Sequence, residues 1–335
     1  MTLHPTPPVT RNDVARYAGV STAVVSYVVN EGPKRVAPDT AARVRDAIRV
    51  LGYRPNAAAR ALKLGTSEML GFLTSDGDNP FFTHFAHAVE DAAAARGFAV
   101  LLTNSDHNPT KEKRNIRNLA SRKVDGLIIS SQLGPIDLAY LMDTVVPTVF
   151  VNRDSGIEGY DTLGVDFRAA AKGGVRHLIE HGHRNIALVM GVGETEGREL
   201  GWLDALTEAG LPEGPVMRAA FTLAGGYQAG KRLLAGITRP TAIFASSDLQ
   251  GIGVLRALHE AGVSVPDDIA VVAFDGSTES EYSWPALTTV KQPIREMAQA
   301  AVAKLLDGGP GISTGHLVFP TELILRRSCG CPGPV

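Results

Sequence analysis

The chain has 335 residues, is 44% hydrophobic and 20% charged, and carries a formal net charge of −2. That make-up excludes a disordered or fibrous protein, and the length allows two or three packed units. No apolar run is long enough to span a bilayer. The Pro/Thr-rich start, Met1 to Thr10, lacks the apolar stretch of a secretory signal, so a cytoplasmic protein is expected.

Charge is uneven along the chain. Residues 1–65 hold ten Lys/Arg and four Asp/Glu, a formal +6, which leaves −8 on the remainder. A basic head on an acidic body is the electrostatic footprint of a nucleic-acid-binding module joined to something else.

The head reads as short helices. Thr10 and Asp13 form a capping-box-like start. Val14, Tyr17 and Ala18 are expected on one helical face. Gly19 suits the left-handed residue that ends a helix, and Ser21 can cap the next. This is the helix-turn-helix pattern. The second helix is expected from about Thr22 to Asn30, with Val25, Val28 and Val29 as its apolar stripe. Thr22, Ala23, Ser26 and Tyr27 then face outward, where such a helix meets base edges in the major groove. A third helix starts near Pro38 behind a weak cap, Ala37, places Val44, Ile48 and Leu51 on its inner face, and ends at Gly52.

The stretch Arg54 to Lys63 is alanine-rich and too short for a stable isolated helix. Leu62 lies between Arg60 and Lys63. An apolar side chain flanked by cations suits insertion between base steps of the minor groove; a plain linker with one exposed Leu is the alternative.

The segment VTRNDVARYAGVSTAVVSYVVN, followed by GYRPNAAARAL, resembles the LacI/GalR family of bacterial transcription repressors. The resemblance implies that Ser21, Thr22, Ala23, Ser26 and Tyr27 lie at DNA-contacting positions, that Asn30 contacts phosphate, and that Leu62 is a hinge-helix wedge. Many relatives carry Arg or His at the position of Tyr27 and longer polar residues near Ala23. Tyr and Ala cannot make the bidentate guanine or adenine contacts, so methyl contacts and DNA shape are expected to matter more here. A nucleoid-associated location follows from DNA binding.

From Met69 onward, strands and helices alternate. Strands are expected at Met69–Leu73, Ala99–Thr103, Gly126–Ser130, Thr148–Asn152, Ile186–Met190, Val216–Phe221, Ala242–Ala245 and Ala270–Phe274, with Leu287–Lys291 crossing back. Helices are expected around Phe85–Arg96, Lys111–Ser121, Asp137–Asp143, Ala170–His181, Glu199–Ala209, Gly226–Leu234 and Gln250–Ala261. Alternation of this kind implies parallel sheets covered on both faces. The expected class is α/β: a small all-α helix-turn-helix headpiece followed by two doubly wound parallel-sheet lobes, periplasmic-binding-protein-like, type I. The expected divisions are a headpiece at 1–53, a hinge helix or linker at 54–66, and an effector-binding and dimerisation core at 67–335. Within the core, the N-lobe takes about 67–165 plus 292–321 and the C-lobe about 166–291 plus 322–330.

Ligands in such folds sit beyond the carboxyl ends of the strands, which here is the cleft between the lobes. Polar and aromatic residues gather after those strands, the mixture that holds a polyol. Arg198 and Asp275 are charges that need a partner there. Phe81 and Phe82 could equally be core, and Asp248 reads as a helix cap. The body also resembles periplasmic monosaccharide-binding proteins of the ribose-binding type. By that likeness Asn79, Phe81, Phe82, Asn152, Arg153, Arg198, Phe221, Ser247, Asp275 and Gln292 match pocket positions. Asn152 stands where Asp is usual and Ser247 where Asn is usual, which leaves a sugar as a class and puts ribose in doubt.

Other classes fit less well. Gly191, Gly193 and Gly197 follow a strand but miss the dinucleotide spacing, and no catalytic set is recognisable, so an enzyme is not expected. A secreted sugar carrier would have no use for residues 10–62, whereas an activator is compatible with the same residues. No cofactor and no metal are expected. His177 and His181 are placed on a solvent-facing helix and His183 at a strand start. Cys329 and Cys331 are read as free thiols, since two thiolates do not close a zinc site. The expected partners are a pseudo-palindromic double-stranded DNA operator, a monosaccharide or related polyol, and a second copy of the chain.

Overall fold

The computed structural model describes residues 9–29, 35–55, 61, 65–131, 146–192, 197–308 and 315–332. The chain divides into two units, Met1–Ser67 and Glu68–Val335.

Local capping builds the first unit from α1 (Arg11–Ala18), α2 (Thr22–Val29) and α3 (Pro38–Leu51). Asp13 accepts from Thr10 N at 2.9 Å, and Thr10 Oγ1 accepts from Asp13 N at 3.4 Å. Both are orphan amides of a helix start, so the box fixes where α1 begins. Gly19 takes φ 64°, the left-handed conformation that turns the chain toward α2. Ser21 Oγ then accepts from Val24 N at 3.4 Å. Val14, Val25, Val44 and Ala47 are fully buried, and Ile48, Leu51, Val28 and Val29 pack around them. Tyr17 departs from the expected face: it is 57% exposed, and Ala15 is buried in its place. A helix this short needs only positions 14, 15 and 18 to cover its inner side. Ala37 does occupy the N-cap of α3 with no side-chain hydrogen bond. Asn30, Leu62 and most of the hinge lie outside the described residues.

The second unit contains two sheets. The first joins β1 (Met69–Thr74), β2 (Ala99–Asn104), β3 (Gly126–Ile129), β4 (Thr148–Val151), β5 (Asp161–Val165) and β11 (His316–Phe319), in the order β11-β5-β4-β3-β1-β2. Its pairs are parallel throughout. The second joins β6 (Ile186–Met190), β7 (Val216–Arg218), β8 (Ala242–Ala245), β9 (Ala270–Asp275), β10 (Thr288–Lys291) and β12 (Glu322–Ile324), in the order β12-β10-β9-β8-β6-β7. Only β12 runs antiparallel to its neighbour, β10. Strands β3, β6, β8 and β9 are buried at every position, as sheets covered on both faces require.

The covering helices are α4 (Pro80–Ala94), α5 (Pro109–Ser121), α6 (Phe167–Glu180), α7 (Gly197–Glu208), α8 (Leu223–Ala235), α9 (Asp248–Glu260), the short α10 (Thr278–Glu281) and α11 (Ile294–Asp307). Strands β5, β11 and β12 and helix α11 extend the sequence expectation. The strand expected at Val216–Phe221 stops at Arg218, because Thr222 caps α8 immediately afterwards. His183 lies before β6 rather than in it. The helix expected at 137–143 falls outside the described residues. The chain passes between the sheets after β5, after β10 and after β11, so the two lobes share three crossovers. In each sheet the order reverses about one strand, β1 or β6, and these are the switch points where ligands bind.

Candidate functional site

In the first unit, Ser21, Thr22 and Ala23 are exposed, and Ser26 and Tyr27 are half-buried on α2. Val25, in the next turn, is fully buried. The apolar stripe thus fixes the roll of the helix and leaves its first turn open to solvent.

In the second unit, a cavity of about 490 Å³ opens between the lobes at the carboxyl ends of both sheets, within the roughly 300–1,000 Å³ usual for small-molecule sites. Nine of the ten residues expected there line it: Asn79, Phe81, Phe82, Asn152, Arg153, Arg198, Phe221, Ser247 and Asp275. Gln292 does not. It lies behind the wall, 2% exposed, and its Nε2 donates to Asp275 Oδ1 at 3.1 Å.

On the C-lobe wall the Arg198 guanidinium lies 4.3 Å from the Phe167 ring centre, 4.7 Å from Phe274 and 5.9 Å from Phe221. Cation–π attraction is strongest at such desolvated positions. Phe221 does not end a strand, as expected, but lies in the loop after β7. A Cβ on Gly191 would come within 2.3 Å of the Phe221 ring, so glycine at 191 makes room for that ring. Burial pushes the Asp275 carboxyl up to about 8, with Arg198 opposing the rise and Asp248 adding to it. Asp248 is not the cap of α9. Ser247 fills that role, accepting from Gln250 N at 3.2 Å. Asp248 is buried and accepts from Ser277 N and Thr289 Oγ1, each at 2.6 Å.

On the N-lobe wall Asn79 caps α4, its Oδ1 accepting from Phe81 N at 3.0 Å. Phe81 and Phe82 are both core and lining: they are buried and meet edge to face at 5.1 Å. Ser131 donates to the buried Glu112 at 2.7 Å, and Arg153 donates to Ser131 O at 3.4 Å. Burial holds the Arg153 guanidinium below its usual range and pushes Glu112 up.

Two observations mark the cavity as a built site. Among the described residues that line it, Asn152 Oδ1 and Arg153 Nε are buried without a hydrogen-bond partner, a cost that a bound polar ligand removes. Asn152 and Asp275 also hold φ of 59° and 119°, a region rare for residues with side chains and concentrated at ligand clamps. Sequence reasoning missed Asp76, His107, Ser130, Ser131, Asp154, Phe167, Val192, Gly197 and Ser246 in the lining. Most follow strand ends, and that position was their available signal.

Residues 10–56 match the model of bacterial regulatory proteins of the lacI family, and residues 175–329 that of a periplasmic binding protein-like domain. The HTH-type transcriptional repressor PurR of Pectobacterium carotovorum is 37% identical, over 97% of this chain and 98% of its own length. The structure of the Lac repressor dimer bound to operator and an anti-inducer superposes with a TM-score of 0.85 at 30% identity, covering 96% of this chain and 99% of that one. The regulator CelR in complex with cellobiose gives 0.70 at 31%, with the same coverage. Among the described residues no helix is long and apolar enough to cross a membrane. The chain therefore belongs to the lacI family of bacterial regulatory proteins: it is a DNA-binding transcriptional repressor with a core that binds a small molecule, and not an enzyme.

Proposed function

We propose that the protein is a cytoplasmic homodimeric repressor whose operator affinity is set by a sugar-class effector held between the lobes. The observation that carries this reading is the polar lining. Asn79, Ser131, Asn152, Arg153, Arg198, Ser247 and Asp275 converge on one cavity with Phe221 at its side. A polyol satisfies many donors and acceptors at once, and an aromatic face covers its C–H surface. Relatives of the same fold are described with cellobiose and with ribose bound.

The headpiece (1–53) reads one half-site through Ser21, Thr22, Ala23, Ser26 and Tyr27. A pseudo-palindromic operator then needs two heads. The hinge (54–66) places Leu62 in the minor groove, and Asn30 contacts phosphate. The core (67–335) carries the cleft and the dimer contacts. Effector closing the cleft shifts the lobe that leads into the hinge. By linkage, whatever the effector does to operator affinity, operator does equally to effector affinity.

A purine is the second reading, favoured by the PurR relatives and by the Phe221 ring, on which a planar base could stack. A thermal-shift screen of monosaccharides, nucleosides and purine bases separates the two, because stabilisation reports binding to the folded state. Stabilisation by sugars is expected. Stabilisation by purine bases alone would overturn the sugar.

A further inference from the structure

A second cluster of donor atoms lies in the C-lobe, away from every residue of the cleft. His177 is on the last turn of α6 and His181 is the residue that ends it. Their ring centres are 4.5 Å apart, with the planes tilted by 54°. The two cysteines are some 150 residues further along the chain, and the fold brings them to these rings. His177 Nε2 is 3.2 Å from Cys329 Sγ and 3.7 Å from Cys331 Sγ, and His181 Nε2 is 3.5 Å from Cys331 Sγ.

We propose that His177, His181 and Cys331, whose ligand atoms lie within 4.8 Å of one another, hold a thiophilic divalent cation of the zinc class, and that Cys329, which touches His177 but stands outside that group, moves in to close a tetrahedral Cys2His2 set. Bonds of about 2.3 Å to sulfur and about 2.0–2.1 Å to nitrogen place the N and S corners of a tetrahedron about 3.6 Å apart. The three N···S separations, from 3.2 to 3.7 Å, lie around that value. Both histidines present the same ring atom, Nε2, to the sulfurs. Thiolate and imidazole together select zinc over magnesium or calcium.

The frame around the cysteines is built for this. Cys329 is a free thiol, as expected, but it is buried and does not sit on an exposed tail. Ser328 donates to Val271 O at 2.6 Å and accepts from Thr288 N at 2.8 Å, which pins the tail to the sheet. Thr288 Oγ1 donates to Cys329 Sγ at 3.0 Å, the outer-sphere support that orients a thiolate ligand. Between the cysteines, Gly330 takes φ 94°. That left-handed residue turns the chain so that both thiols face the histidines, a conformation other residues rarely adopt. His181 is exposed and Cys331 half-buried, so an ion has a way in. The bound ion would tie the C-terminal segment to the end of α6.

Cobalt titration of the full-length protein tests the site, after phosphine reduction and removal of metal by a chelator. Intense visible bands of tetrahedral cobalt and sulfur-to-cobalt charge transfer are expected. They should saturate at one ion per chain and vanish when one equivalent of zinc is added. Cys331→Ser and His181→Ala change solvent-accessible side chains and should keep the wild-type circular dichroism. Each should weaken or abolish these bands and the zinc-induced rise in melting temperature. A pale octahedral spectrum, binding without saturation at one ion, or spectra unchanged in both variants would overturn the proposal. So would a Cys329–Cys331 disulfide that survives reduction.

Discussion

The two walls of the cleft are built differently. The C-lobe wall is electrostatic: a guanidinium over three aromatic rings and two buried carboxyls raised by burial. Fixed donors behind it, Thr289, the Ser277 amide and Gln292, hold those carboxyls in place. The N-lobe wall uses groups already committed to local structure. Asn79 caps a helix, Ser131 serves Glu112, and Arg153 reaches a backbone carbonyl. A wall whose side chains are held in place before the ligand arrives can anchor it. A wall whose polar groups have second duties is suited to closing over it. The difference assigns affinity mainly to the C-lobe and closure to the N-lobe.

The largest expected effect breaks or supports that assignment directly. Arg198→Met keeps the side chain's length and removes its charge. A hydrogen bond to a charged group contributes about 1.5–3 kcal/mol, so effector affinity should fall by about 10- to 150-fold, with operator binding retained without effector. Arg153→Met should cost less, because its partner is a single carbonyl at 3.4 Å. Calorimetry of both variants makes the comparison, and equal losses would remove the asymmetry.

Asp275 gives a pH test of the same wall. Its folded value, about 8, lies above the ordinary 3.8. Between those values the folded chain holds a proton that the unfolded chain has released, so this group makes stability fall as pH rises through that window. Asp275→Asn removes the dependence. Its melting temperature should gain on the wild type between pH 5 and pH 8. The opposite trend would mean that Arg198 already neutralises a carboxylate there. An effector that donates to Asp275 favours the charged form. Binding at neutral pH should then release protons, read as a dependence of the calorimetric heat on buffer ionisation.

How much of this was legible in the sequence follows the same physics. The head was readable because its determinants are local: Thr10 with Asp13, Gly19 and Ser21 lie within one short stretch and act on neighbouring amides. The buried strands were readable as apolar runs, and the nine cavity-lining positions through the resemblance to sugar-binding proteins, helped by their place in the segments after strands. Tyr17 was misplaced because residues 15 and 17 flank the stripe of Val14 and Ala18 at equal angles, so periodicity alone does not decide which is buried. Strand β5, DTLGV, carries Asp and Gly, which speak against a strand; it forms because β4 and β11 pair on either side of it. Gln292 has the chemistry of a ligand contact, and only the packing shows that it stands behind Asp275. The clustering of His177 and His181 with Cys329 and Cys331 was illegible because about 150 residues of chain separate the pairs.

The smallest effect concerns the second duty of Asn79. Removing an N-cap side chain costs about 0.5–2 kcal/mol, so Asn79→Ala should lower stability by that amount and weaken effector binding too. Asn79→Ser separates the duties. Serine still accepts from the amide of Phe81, where Asn79 Oδ1 now sits at 3.0 Å, but it lacks the amide donors of asparagine. Its melting temperature should stay near that of the wild type while effector affinity falls. If affinity also stays unchanged, Asn79 serves only α4, and the N-lobe wall meets the ligand through Asn152 and Arg153. The buried, unpartnered Oδ1 of Asn152 and Nε of Arg153 already give that wall two atoms that gain a hydrogen bond only when something polar fills the cleft.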